Sequence, residues 1–127
     1  MKAKNTAYLF IRILVGINFF THGLVRLPKI NAFSNWMITT YESTFLPKVM
    51  VQIFSQTVPY IELLLGAALF LGIYTYKTTI AIGVLLTVLL FGACLLEKWD
   101  WVAFQMIYAL CAYLLISRIE DNTYKII

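Results

Sequence analysis

Charge is scarce in this chain, and histidine and cysteine are scarcer: 13% of its 127 residues are Asp, Glu, Lys or Arg, and it has one histidine and two cysteines. A typical soluble domain is about 25% charged, so an ordinary water-facing surface is excluded. A single histidine, His22, excludes a two-histidine haem or a histidine-rich metal centre built by one chain, and no metal or haem motif is present. Cys94 and Cys111 form neither a CxxC pair nor a metal-ligand pattern. Antiparallel spans would hold them roughly 10 Å apart in depth, so they read as small buried apolar residues rather than a disulfide. Runs of like charge are also missing. The net charge of +4 is scattered, which argues against nucleic acid as a partner and suits anionic lipid headgroups. No flavin, nicotinamide or iron–sulfur motif appears, so any electron or hydride has to come from a partner.

What the chain has in abundance is apolar surface: 61% hydrophobic residues and a mean hydropathy of +0.83. That composition predicts an integral membrane protein of the all-α class. Each crossing takes roughly 20 apolar residues, so about four crossings use up the length and leave a single four-helix transmembrane bundle over 1–127. The spans fall at about 6–27, 47–74, 78–96 and 101–117. Lys2 and Lys4 precede an apolar run too long for a signal peptide, with no small-residue cleavage site after it, so the first span is expected to be retained. Pro28 stops that span, and Pro59 is expected to kink the second. Between them, 31–46 mixes Phe33, Trp36, Met37, Tyr41 and Phe45 with Ser, Thr and Asn, which predicts an interfacial loop or short helix, either anchoring at headgroup depth or covering a cavity. Positive residues barely orient the bundle. Lys2, Lys4, Lys77, Arg118 and Lys125 lie on the side of the termini against Arg26, Lys29, Lys48 and Lys98 opposite, and the short tails favour both termini in the cytoplasm of an inner-membrane protein.

The first span carries its own polar residues: Arg12, Asn18, His22 and Arg26. A charged side chain at the bilayer centre costs about 2.5 to 3.5 kcal/mol on insertion scales, so such residues pair, face protein, or snorkel. Asn18, His22 and Arg26 stack one turn apart on one face, with Gly16 and Gly23 in the neighbouring arc, and that face is expected to meet protein. Arg12, roughly 9 Å into the span, is expected to snorkel to phosphates as a structural anchor. Glu62, three residues after Pro59 in the returning span, is the most informative position, because a carboxylate before a run of leucines is costly unless paired or protonated. Depth places it near His22 and Arg26. Gln105 in the fourth span and Glu97 at the end of the third share that level, and Tyr60 is positioned to donate a hydrogen bond inward. The ligand-binding candidates are therefore His22, Arg26, Tyr60, Glu62 and Gln105. Arg12, Gly16, Gly23, Pro59 and Gly66 are the structural ones, the glycines allowing close helix approach. No catalytic residue is identifiable.

The series Arg12, Gly16, Phe19, Phe20, His22, Gly23, Leu24, Val25, Arg26, Leu27, followed by Pro59, Glu62, Gly66, Leu69 and Gly72, resembles the DoxX family of small four-helix membrane proteins, which includes the DoxD-type subunit of thiosulfate:quinone oxidoreductase. The resemblance spans nearly the whole chain, although its third and fourth spans add only length and hydropathy. It implies a four-helix membrane bundle that in some relatives works with quinones or with thiol and sulfur redox partners, while many members have no assigned activity. The family often has lysine where this chain has Arg26, which keeps the charge and changes the hydrogen-bond geometry. No cysteine sits in a recognisable reactive setting.

The sequence leaves three functions open. One is a quinone-interacting subunit of a membrane oxidoreductase system, with quinone as cofactor and a membrane-protein partner or a second copy of the chain beside it. The second is a non-catalytic structural or accessory subunit of a membrane complex. The third is a small lipophilic-ligand carrier with the aromatic segment as lid.

Overall fold

The computed structural model describes residues 2–127, and every regular element in it is helical. Helix α1 runs Ala3–Arg26, a 3₁₀ turn follows over Leu27–Lys29, and α2 runs Ile30–Thr40. Helices α3 (Lys48–Leu71), α4 (Thr75–Leu95) and α5 (Trp99–Ser117) complete the bundle. The continuous segment Ala3–Thr40 and the helices α3, α4 and α5 are each long and apolar enough to cross a membrane. Of the segment 31–46, expected to be interfacial loop or short helix, 31–40 is helical. Helix α1 ends at Arg26, just ahead of Pro28, as the sequence predicts. Pro28 occupies the 3₁₀ turn, where its missing N–H costs nothing, and helix resumes after Lys29.

The apolar side chains that no other helix covers decide what surrounds the bundle. Val84, Val88 and Phe91 on α4 and Phe104, Ile107 and Leu110 on α5 are about half exposed or more. Helices apolar on all sides are stable only in an apolar surrounding. At ~1.5 Å per residue, α4 and α5 each span roughly 30 Å, the thickness of the hydrocarbon layer.

Helices α1 and α3 form the tightest pair, antiparallel and in contact through glycine. A Cβ on Gly16 would lie 2.7 Å from the Phe70 nitrogen, and one on Gly66 would overlap the Phe20 nitrogen. A Cβ on Gly23 would run into the Pro59 carbonyl oxygen. Membrane helices gain association energy from such close backbone packing because lipid already satisfies their apolar side chains. Pro59 is buried inside α3, which continues across it from Lys48 to Leu71. Its missing N–H frees the Ser55 carbonyl from the helical ladder. At the same level the Ser55 hydroxyl donates to the Gln52 carbonyl at 2.8 Å, so the 2.7 Å contact between Ser34 and Ser55 takes its proton from Ser34. That bond fastens α2 to the first half of α3.

The end of the bundle holding the termini is closed by the tail. Gly72 caps α3 in the left-handed conformation (φ 75°), and its carbonyl accepts from the Ile126 and Ile127 nitrogens at 3.2 and 3.3 Å. Beneath this tail Arg12 is buried, and its Nη1 donates to Oδ1 of the buried Asn122 at 2.7 Å. Arg12 therefore does not snorkel to the headgroups. The tail reaches it first and supplies the acceptor that phosphate would have offered.

Candidate functional site

A cavity of ≈ 420 Å³ lies in the half of the bundle away from the termini. One part of its wall is polar. Asn18, His22 and Arg26 come from successive turns of α1, Glu62 from α3 and Gln105 from α5. Because α1 and α3 are locked in register by their glycines, Arg26 reaches Glu62 directly, Nη1 to Oε1 at 2.9 Å. The two ends of this pair differ: the Glu62 side chain is 4% exposed and that of Arg26 is 31% exposed. Glu62 is thus sunk between helices while the guanidinium stays open to the cavity, stacked over the wall residue Phe33 at 4.7 Å from the ring centre.

His22 does not bind Glu62 in this arrangement. Its Nδ1 lies 2.6 Å from the Asn18 carbonyl oxygen, one turn back along α1. A carbonyl can only accept, so Nδ1 carries the proton and Nε2 is the nitrogen left to exchange one. Gln105 lines the same cavity, and its Oε1 is buried without a hydrogen-bond partner. An unsatisfied buried carboxamide oxygen is costly until a donor meets it.

The rest of the wall is aromatic and apolar. Helix α2 contributes Phe33, Trp36 and Met37, and Tyr41 follows at its end. Trp36 lies 6.1 Å from Phe33 on one side and 6.1 Å from Trp101 of α5 on the other, which ties α2 across to α5. Tyr108 of α5 meets Phe19 edge to face at 6.3 Å. Leu86, Leu89 and Ala93 are the contribution of α4, none of them polar.

Four of the five ligand candidates, His22, Arg26, Glu62 and Gln105, therefore share one cavity, and Tyr60 is not with them. Two positions before Glu62 on a helix is a rotation of roughly 200°, which turns Tyr60 to the outer surface, where it is 53% exposed. Glu97 is exposed in the turn between α4 and α5, with φ 56°, and stays outside the layer. Sequence reasoning passed over Trp101 and Tyr108, although they fall with Gln105 at positions i, i+4 and i+7 of one helix and so mark a single face. It also passed over Asn122, since a polar tail behind the last helix carries no pattern.

The polar residues and glycines of α1 and α3 that build this site lie within residues 7–99, which match the DoxX family model. The chain belongs to the DoxX family. The match covers α1 through α4 and stops at the start of α5, so Trp101, Gln105 and Tyr108 line the cavity from outside the matched stretch. No curated protein and no solved structure was found to match the chain. Among the described residues of this DoxX protein, no group of three His, Cys, Asp or Glu side chains is placed to hold a metal ion.

Proposed function

We propose that this DoxX protein is a quinone-interacting subunit of a membrane oxidoreductase system, and that the cavity holds the polar head of the quinone. The observation that carries the reading is the composition of the polar wall: an ion pair with one member open to the cavity, a histidine with one uncommitted nitrogen, and a carboxamide with an unsatisfied oxygen. Quinone carbonyls accept hydrogen bonds and quinol hydroxyls donate them. Arg26 and the Gln105 NH₂ suit the first state, and Gln105 Oε1 and Glu62 suit the second. His22, through its uncommitted Nε2, and Glu62 are the groups able to carry protons when the head changes redox state. Phe33, Trp36 and Trp101 supply flat apolar walls of the kind that ligand pockets combine with a few polar groups. Electrons come from a membrane-protein partner that carries the redox group; a second copy of the chain would assemble beside it without supplying electrons. In this reading the protein lies in the inner membrane with both termini in the cytoplasm.

The test is quinone-analogue affinity, measured by fluorescence quenching in nanodiscs. Binding in the parent that weakens in Glu62→Leu and His22→Leu, with Cys94→Ala and Cys111→Ala unaffected, supports the reading. Absence of binding in the parent, or unchanged affinity in both leucine variants, overturns it. A second reading, a non-catalytic accessory subunit, draws support from the Arg26–Glu62 pair, since two groups that satisfy each other need no ligand. It predicts an assembled protein whose stability responds to these residues while no quinone binds.

A further inference from the structure

Beside the polar cavity lies a second hollow of ≈ 320 Å³ with a different chemistry. It is walled by Leu46, Met50 and Val51 on the α3 side and by Val88, Phe91 and Gly92 on α4. No charged residue lines it. The Thr87 hydroxyl at its edge is already committed, donating to the Gly83 carbonyl at 2.9 Å. Met50, Val88 and Phe91 are each about half exposed, so the hollow opens toward lipid. A groove of this kind recognises no polar group.

Its position gives it meaning. Met37, Tyr41, Phe54 and Leu89 line both this groove and the polar cavity, so the two share one partition of four side chains. Two side chains reach across to α4: Phe45, whose ring meets Phe91 edge to face at 6.4 Å, and Tyr41. A Cβ on Gly92 would lie 2.6 Å from the Tyr41 hydroxyl, so the phenol rests where α4 has no side chain. Helix α4 thereby leaves a gap that a single ring fills, with the polar cavity on one side and the lipid-facing groove on the other.

We propose that the groove between α2, α3 and α4 receives the hydrocarbon tail of the same amphiphile whose polar head occupies the cavity, the tail passing over the partition at Tyr41. The ligand class is therefore a lipid with one compact polar head and a single chain. A head alone would leave the groove unused, and a two-chain lipid would need a second exit. Lipid already solvates a free tail, so the groove adds little by burial. What it supplies is direction: it holds the chain on one side of the bundle and the head in register with Glu62. This inference rests on the head-binding reading above.

The experiment compares a tail-less benzoquinone with its decyl-substituted counterpart in nanodiscs, and adds a decyl analogue carrying a diazirine midway along the tail. Val88→Trp and Met50→Trp place an indole in the groove from two different helices, at exposed positions where folding tolerates it. The expected result is about tenfold weaker binding of the decyl compound in either variant, with the tail-less compound unchanged within about twofold. Photolabelling of the parent is expected to mark α3 and α4 at Met50, Val88 or Phe91. Labels concentrated on the outer faces of α1 and α5, at Phe10 or Leu110, overturn the tail path while leaving head binding intact. Crosslinks joining two copies of the chain through Phe91 overturn it as well, by showing the groove covered by protein. Loss of both compounds' binding in the parent overturns head and tail together.

Discussion

The two arginines of α1 lie roughly four turns apart on one helix and have been given opposite solutions. Arg12 is 3% exposed, meets only a neutral acceptor, Asn122, and keeps a buried Nε without a partner. Arg26 meets a carboxylate and still keeps about a third of its side chain open to the cavity. The difference lies in what arrives opposite each one. Arg26 faces a helix held at fixed register by Gly16, Gly23 and Gly66, so a charge on α3 can be aimed at it. Arg12 faces the end of α3 at Gly72 and the C-terminal tail, which closes over it with the Asn122 carboxamide and, among the described residues, no ion-pair partner. One end of the bundle is thus sealed around its cation, and the other is built open around an ion pair.

The comparison can be broken most forcefully at Arg26. Arg26→Leu leaves the Glu62 carboxylate buried without a partner and is expected to cost about 3–5 kcal/mol in unfolding free energy. Combining it with Glu62→Leu is expected to restore most of that loss while quinone-analogue binding stays weakened. Additive losses in a double-mutant cycle, followed by denaturant in detergent micelles, would remove the pair from the argument.

Gly66→Ala acts on both ends at once. Its Cβ meets the Phe20 backbone, so α1 and α3 must separate, at a cost of about 1–3 kcal/mol from overpacking. The separation should lengthen the Arg26–Glu62 contact as well, so ligand affinity and thermal midpoint are expected to fall together. A variant that loses stability with its affinity unchanged would mean that the register is set elsewhere.

Asn122→Ala removes the acceptor that Arg12 meets and is expected to cost about 1–3 kcal/mol, with no change in quinone-analogue affinity. Hydrogen exchange at Ile126 and Ile127 should accelerate in the same variant, since their bonds to Gly72 depend on the tail staying down. An affinity change comparable to that of Glu62→Leu would mean that the two ends are coupled after all.

Tyr60→Leu gives the smallest effect, within about 0.5 kcal/mol and with affinity unchanged, because the ring faces outward. A tenfold loss of affinity would return Tyr60 to the site.

Much of this protein was legible in its residues. The scarcity of charge and the length of the apolar runs dictate membrane-spanning helices, because backbone polar groups in lipid must satisfy one another. The spacing of Asn18, His22 and Arg26 dictates one polar face, since helical geometry repeats with every turn. The cost of an isolated carboxylate demands a partner for Glu62 at similar depth. Each of these follows from local geometry or from the solvent alone. What tertiary structure decided is which partner, which side and which cover. Arg26 rather than His22 meets Glu62 because the glycine contacts choose the register and His22 is committed to the Asn18 carbonyl. Tyr60 turns to the outer face because the rotational setting of α3 is chosen by what packs on it. Residues 30–40 form a packed helix because Ser34 finds Ser55 and Trp36 finds Trp101. The burial of Arg12 depends on a tail that pairs with it across more than a hundred positions of sequence. Contacts of that separation leave no periodicity in the chain, because they exist only once the helices have been brought together.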